Sequence, residues 1–116
     1  MEKIIRKHVA ERASKIVIYN KTVHLCGQVG VPDTPLQDQA KEMLSRVDTL
    51  LEEAGTDKSH MLSATVYLSD IKYFAAFNKI WDVWVTPNNT PTRTCVEARI
   101  MHPALFCEVT IVAALP

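Results

Sequence analysis

Residues 91–108 read PTRTCVEARIMHPALFCE, and the way this stretch folds decides what kind of sheet the chain builds. From Arg93 to Ile100 the side chains alternate as in a β-strand. Val96, Ala98 and Ile100 fall on one side; Arg93, Cys95, Glu97 and Arg99 fall on the other. The pattern predicts a strand over roughly 93–100 and a second over roughly 107–115, VTIVAA being its apolar body. A charged row along one side of a strand has three readings: a solvated edge, a site for a charged ligand, or a contact between subunits.

Working back from this stretch, TPNNTP at 86–91 stops whatever helix precedes it, because proline cannot continue a helix and disfavours helical backbone before it. Upstream, Asp70 is placed to cap a helix carrying Phe74, Phe77, Trp81 and Trp84 on one side. These aromatics read as core, not as a platform for stacking bases. MLSATVYL at 61–68 alternates, with Leu62, Ala64, Val66 and Leu68 facing one way and Ser63, Thr65 and Tyr67 the other.

The best-signalled helix lies between Thr34 and Gly55. Thr34 is a cap candidate, Pro35 suits the first helical position, and Gln37 completes a T-x-x-Q capping box. Leu36, Ala40, Met43, Leu44, Val47, Leu50, Leu51 and Ala54 then form one apolar stripe, and Gly55 is placed for a left-handed C-cap. KIVIY and TVHLCGQV flank Asn20-Lys21, a tight-turn pair between strands, and residues 2–8 carry a weaker strand signal.

The order is ββ(β)αβαββ. The expected fold is α+β: a mixed sheet with two amphipathic helices on one face. The chain is expected to be one domain, 1–116. The other sheet face is expected to carry Ser63, Thr65, Tyr67, Arg93, Cys95, Glu97, Arg99, Glu108 and Thr110, and a chain of this size has nothing left to cover it. Water or other subunits must do so.

Composition narrows the function classes. The chain has 116 residues, 47% hydrophobic and 22% charged, with 13 basic residues balancing 13 acidic ones. Neutral charge with no basic stripe argues against nucleic acid or an anionic membrane as partner. The charged N-terminus MEKIIRKHVAERASK is no signal peptide, no segment is long enough to span a bilayer, and a cytoplasmic location is the expectation. Cys26, Cys95 and Cys107 lack CxxC spacing and read as reduced thiols; His8, His24, His60 and His102 are scattered, so no metal site is expected.

One further expectation is geometric. If the chain simply reverses around Met101–Phe106, Arg93 and Glu108 begin neighbouring strands at opposite ends of the sheet, about 20 Å apart at about 3.3 Å per residue. A site using both would then lie between subunits.

At TRTCVEARIMHPALFCEVTIVAA the chain resembles the RidA/YjgF family. The resemblance rests on Arg93, Cys95-Val96-Glu97 and Glu108, on GQVG at 27–30 and on TVYLSDIKYFAAFN at 65–78, and it spans about residues 15–115. It implies a Bacillus chorismate mutase-like fold and a homotrimer with three clefts between neighbours. It implies hydrolysis of reactive 2-imino acids, released by pyridoxal-phosphate enzymes, to 2-keto acids and ammonia. By resemblance, Arg93 binds the substrate carboxylate, Glu108 activates water, and Cys95, Gly27 and Asn78 line the cleft. No cofactor, metal or covalent nucleophile is implied. The alternatives are a trimer that binds small carboxylates or keto acids without turnover and, less favoured by the neutral charge, an endoribonuclease or translation inhibitor. The sequence departs from the family in two places: Gly-Pro-Tyr before the first hairpin is replaced by ERASKI, with Ala13 where the tyrosine would stand, and the proline after the Arg-Cys strand is displaced, as MHPAL at 101–105.

Overall fold

The computed structural model describes residues 3–116. In chain order the strands and helices are β1 (Ile5–Val9), β2 (Ser14–Tyr19), β3 (Thr22–Leu25), α1 (Leu36–Ala54), β4 (Met61–Leu68), α2 (Phe74–Trp84), β5 (Thr92–Glu97) and β6 (Cys107–Ala114). Of the first expected strand, residues 2–8, Glu2 lies outside the described residues; the strand itself runs one residue further, to Val9.

The β2–β3 turn forms as its sequence dictates. Asn20 and Lys21 both take left-handed backbone, φ 52° and 60°, the pair of values a two-residue hairpin with the right twist demands. Gly55 ends α1 at φ 93°, and its N–H satisfies helix carbonyls at Leu51 and Glu52. The start of α1 differs from expectation. Pro35 occupies the cap position and supplies no side-chain bond, while the Thr34 hydroxyl turns back to donate to Val31 O at 2.8 Å. The capping box with Gln37 does not form.

One sheet holds all six strands, in the order β1-β2-β3-β6-β4-β5. Every pairing is antiparallel except β4 with β5. Two crossover units account for this. The first runs β3–α1–β4 and the second β4–α2–β5; both step the same way along the sheet, and right-handed crossovers stepping the same way put their helices on the same face. β6 then enters last, between β3 and β4, antiparallel to both. β5 and β6 are therefore not a hairpin, which corrects the simple reversal expected around Met101–Phe106.

The core lies between the sheet and the helices. Ile16, Val23, Met43, Val47, Leu51, Val66, Phe77, Val109 and Ile111 are among its buried side chains. Two apolar faces read from sequence each lose their first member. A bulge between Met61 and Ser63 sends Met61 inward and leaves Leu62 exposed. In α2, Phe77 and Trp81 are buried, Trp84 packs partly and donates its indole N–H to Asp48 at 3.0 Å, and Phe74 stays exposed. Asp70 caps a 3-10 turn, Ile71–Tyr73, that leads into α2, and does not cap α2 itself.

Candidate functional site

Register decides which way β5 faces. Arg93 pairs with Ala64, Cys95 with Val66 and Glu97 with Leu68, and all three β4 partners are buried under the helices. Directly paired residues share a face. Arg93, Cys95 and Glu97 therefore look toward α2, not toward the open face assigned to them from the alternation. Their alternation was read correctly and its sense inverted. Sequence alone offered Val96 as the inward side chain, but Val96 lies opposite Tyr67 on the open face and is exposed. β5 also stops at Glu97, so Arg99 sits in the following loop instead of in a strand row.

Under α2, Arg93 is half-buried and tightly placed. Its Nη2 donates to Asn78 Oδ1 at 2.7 Å. Its guanidinium lies 5.2 Å from the Trp81 ring centre and 5.8 Å from that of Phe77, within cation–π range of both. Phe77, Asn78 and Trp81 occupy one side of α2, so a single helical turn supplies both the hydrogen bond and the aromatic faces. Among the described residues, no Asp or Glu side chain forms an ion pair with this arginine.

Beside it, the backbone of β5 is open. Ala98 N–H turns inward to Leu68 O at 2.9 Å. By strand alternation, the N–H groups of Arg93, Cys95 and Glu97 turn to the free edge of the sheet. The Cys95 amide is thus a donor two residues from the guanidinium. Glu97 is engaged elsewhere: its carboxylate accepts from Ile71 N–H at 2.8 Å and fixes the turn leading into α2.

Glu108 occupies a separate place. It pairs with Tyr67 on the open face, half-buried, and its carboxylate lies over Gly27. A β-carbon at Gly27 would overlap the Glu108 carboxylate, so the glycine makes room for it. The Gly27 loop is tied to β6 by paired backbone bonds, Gln28 N to Val109 O at 2.9 Å and Val109 N to Gln28 O at 3.0 Å. The five sequence-derived site residues thus form two groups, Arg93–Asn78–Cys95 and Glu108–Gly27. About three residues along β4 and two strands across it separate Arg93 from Glu108, roughly 14 Å between α-carbons. Their side chains also lie on opposite faces. The expectation that they do not meet within one subunit holds, but for this reason and not for the hairpin reason.

Gln39 was not singled out from the sequence. It is fully buried on α1 and wholly satisfied: Nε2 donates to Thr34 O at 3.0 Å and Ala104 O at 2.8 Å, and Oε1 accepts from Phe106 N at 2.8 Å. It anchors the loop that delivers the chain into β6 and hence to Glu108. A glutamine at an apolar-stripe position was the available signal.

His60, which lacks an evident partner in the sequence, faces Asp57 at 3.1 Å inside its own 3-10 turn, with Ser59 bonded to the same carboxylate. Hydrogen bonds from Ser59 and then His60 hold the Asp57 carboxyl below its ordinary value. Cys107 is buried, and burial pushes its thiol up to about 12, which removes it from nucleophilic chemistry. Ala13 lies exposed in the β1–β2 turn, where Ala10 N bonds Ala13 O at 3.0 Å. Among the described residues, no helix is long and apolar enough to cross a membrane.

A mixed sheet with two crossover helices on one face and an isolated arginine on the edge strand defines an α+β fold of the YjgF type. The chain belongs to the family described as Endoribonuclease L-PSP, whose model matches residues 5–115, the same RidA/YjgF group that its sequence resembles. A RutC family protein of Haemophilus ducreyi is 39% identical over 113 residues, 97% of each chain. The crystal structure of NMB1025, a YjgF family member from Neisseria meningitidis, superposes with a TM-score of 0.96 at 35% identity, covering 98% of this chain and 96% of that one. More distantly, the 2-iminobutanoate/2-iminopropanoate deaminase of Rattus norvegicus is 25% identical over 128 residues, covering 97% of this chain and 93% of the rat protein.

Proposed function

We propose that this protein hydrolyses small 2-imino acids to 2-keto acids and ammonia, at clefts formed where three subunits meet. The observation that carries the reading is Arg93. Its positive charge is half-buried, oriented by Asn78 and two aromatic faces, and not neutralised by an ion pair among the described residues. An oriented guanidinium without a counter-ion is suited to an incoming carboxylate, which it can grip through two parallel N–H donors.

The open face supports assembly. From β3 to β5 that face presents Thr22, His24, Ser63, Thr65, Tyr67, Thr94, Val96, Thr110 and Val112, and Glu108 is its one carboxylate. Few charges and many hydroxyls and apolar groups fit a subunit interface. Packing such faces together would bring the Glu108–Gly27 group of one subunit toward the Arg93 edge of the next.

In the proposed reaction Arg93 holds the carboxylate and the Cys95 N–H lies beside the reacting carbon. Glu108 accepts a proton from water as the oxygen attacks C2 of the protonated imine. The resulting carbinolamine takes that proton on nitrogen. The C–N bond then breaks, releasing ammonia, and the hydroxyl proton leaves as the keto group forms. The activity named for the rat deaminase supports this reading.

A second reading is a trimer that binds keto acids without turnover. Ala13, in place of the tyrosine implied by resemblance, is the observation favouring it. The family's ribonuclease description finds no support in the balanced charge.

The test generates 2-iminopropanoate and 2-iminobutanoate in situ with an amino-acid oxidase or a threonine dehydratase and follows loss of the imine. Acceleration over buffer, abolished by Arg93→Ala and by Glu108→Ala, is the expected result. No acceleration removes the enzyme reading. Activity that survives Arg93→Ala removes the clamp.

A further inference from the structure

Glu108 has a different kind of neighbour on each flank. On the β3 side is Gly27, which has no side chain, and the carboxylate rests over it. On the β4 side is Tyr67, its direct cross-strand partner on the same open face. Directly opposed side chains of an antiparallel pair start about 5 Å apart. The Tyr67 ring does not stand free in front of the sheet. It is half-buried, and its hydroxyl accepts from the Thr110 hydroxyl at 3.4 Å. Thr110 lies two residues beyond Glu108 on β6, opposite Thr65. The ring therefore reaches the diagonal neighbour, crossing from β4 to β6 along the flank of Glu108. Val96 of β5 pairs with Tyr67 on its other side, on the same face. Among the described residues, no hydrogen bond or ion pair holds the Glu108 carboxylate.

We infer that Tyr67 is the positioning residue of Glu108: its ring closes the β4 flank and leaves the carboxylate the space over Gly27. The inference rests on the reading that Glu108 activates water. A glutamate on an open strand face has three staggered torsions and nothing in its own chemistry that selects one direction. Here shape selects it, with bulk on one flank and a missing side chain on the other. A general base needs that constraint, because the attacking water must sit within hydrogen-bond reach of the carboxylate and face C2. A misplacement of about 1 Å can lower a rate about 100-fold. Tyr67 suits the task because its polar end is turned to Thr110. The ring limits where Glu108 lies without occupying the lone pairs that must take the proton.

Steady-state turnover of imines generated in situ tests this. Tyr67→Ala should lower kcat about tenfold or more and leave KM within about twofold, because Arg93 still takes the substrate carboxylate. Tyr67→Phe keeps the ring and should retain most of kcat. Gly27→Ala puts a methyl group where the carboxylate rests and should also lower kcat. Adding Tyr67→Ala to Gly27→Ala should cost less than Tyr67→Ala costs in the parent, since both changes displace one group. Thr65→Ala removes the next side chain of the same face and should leave kcat unchanged. Sedimentation of each variant separates loss of assembly from loss of placement.

Parental kcat in Tyr67→Ala, with Glu108→Ala inactive, overturns the inference and leaves the water-activation reading intact. Tyr67→Phe as slow as Tyr67→Ala overturns it as well, by making the hydroxyl and not the ring the group that matters. So does a loss in Tyr67→Ala that Thr65→Ala shares or that tracks dissociation of the assembly. If the parent does not accelerate imine loss, or if Glu108→Ala is as active as the parent, the reading of Glu108 falls and takes the inference with it.

Discussion

Arg93 and Glu108 flank the same strand, β4, yet point to opposite faces of the sheet, Arg93 opposite Ala64 under α2 and Glu108 opposite Tyr67 in the open. A cleft that needs both must take them from different subunits. The Arg93→Ala and Glu108→Ala proteins should each be inactive. Co-expressed in equal amounts, they should regain activity, because about a quarter of the clefts in a randomly mixed cyclic assembly draw both intact residues from different chains. Imine turnover by mixed and unmixed preparations checks this. A mixed preparation as inactive as its parents would mean that both residues serve one subunit's site.

Asn78 holds the guanidinium through an uncharged acceptor, its Oδ1. Asn78→Ala should raise KM about fivefold with a smaller effect on kcat, the scale of one lost hydrogen bond. Asn78→Asp should raise KM further, because a carboxylate there would pair with Arg93 and compete with the substrate. Steady-state kinetics of the two variants decide it; an aspartate variant that binds better than the alanine variant would count against the clamp.

Gln39→Leu should lower stability by about 3 kcal/mol, since Thr34 O, Ala104 O and Phe106 N all lose their partner. Chemical denaturation measures the loss. Activity should fall more than stability explains if the loop entering β6 places Glu108, and amide exchange at Phe106 should quicken selectively.

The Cys107 thiol, with an ordinary value of 9.0, is held up to about 12 in the fold by burial. The unfolded chain therefore loses this proton first as pH rises. Stability is unaffected below about pH 9 and should fall from there toward pH 12, by up to about 1.4 kcal/mol per unit. Cys107→Val should show a shallower alkaline decline than the parent, and the difference between the two curves isolates this thiol from lysines and tyrosines. Thiol reagents at neutral pH should label Cys26 and Cys95, which are half-buried, and spare Cys107.

The sequence made the helices and the tight turn legible because their signals are local. The apolar stripe from Leu36 to Ala54, the left-handed Gly55 and the Asn20-Lys21 pair each act through neighbours a few positions away. The faces of the last strands were harder. Period-two alternation tells which residues share a face, but not which face is covered. In β5, an edge strand, the polar row turned out to lie under α2, where Trp81 and Phe77 make a charged residue acceptable. The bulge at Met61–Ser63 likewise reverses the parity of Leu62 with no residue that announces it. Arg93, Cys95, Asn78, Gly27 and Glu108 came from motif resemblance. Their division into two groups came only from strand order, a property of contacts far apart in sequence.

The placement of β6 has a consequence for how the chain is made. The strand at the centre of the sheet, between β3 and β4, is the last to leave the ribosome. Until it arrives, the β1–β3 part and the β4–β5 part share no strand pairing, and the inner edges of β3 and β4 stand open to any other extended chain. Between the making of β5 and that of β6, a nascent chain is thus in two half-sheets. The final eight strand residues, Cys107–Ala114, convert it into one in a single step. A truncation before Cys107 should therefore aggregate outright instead of yielding a weakened but folded protein.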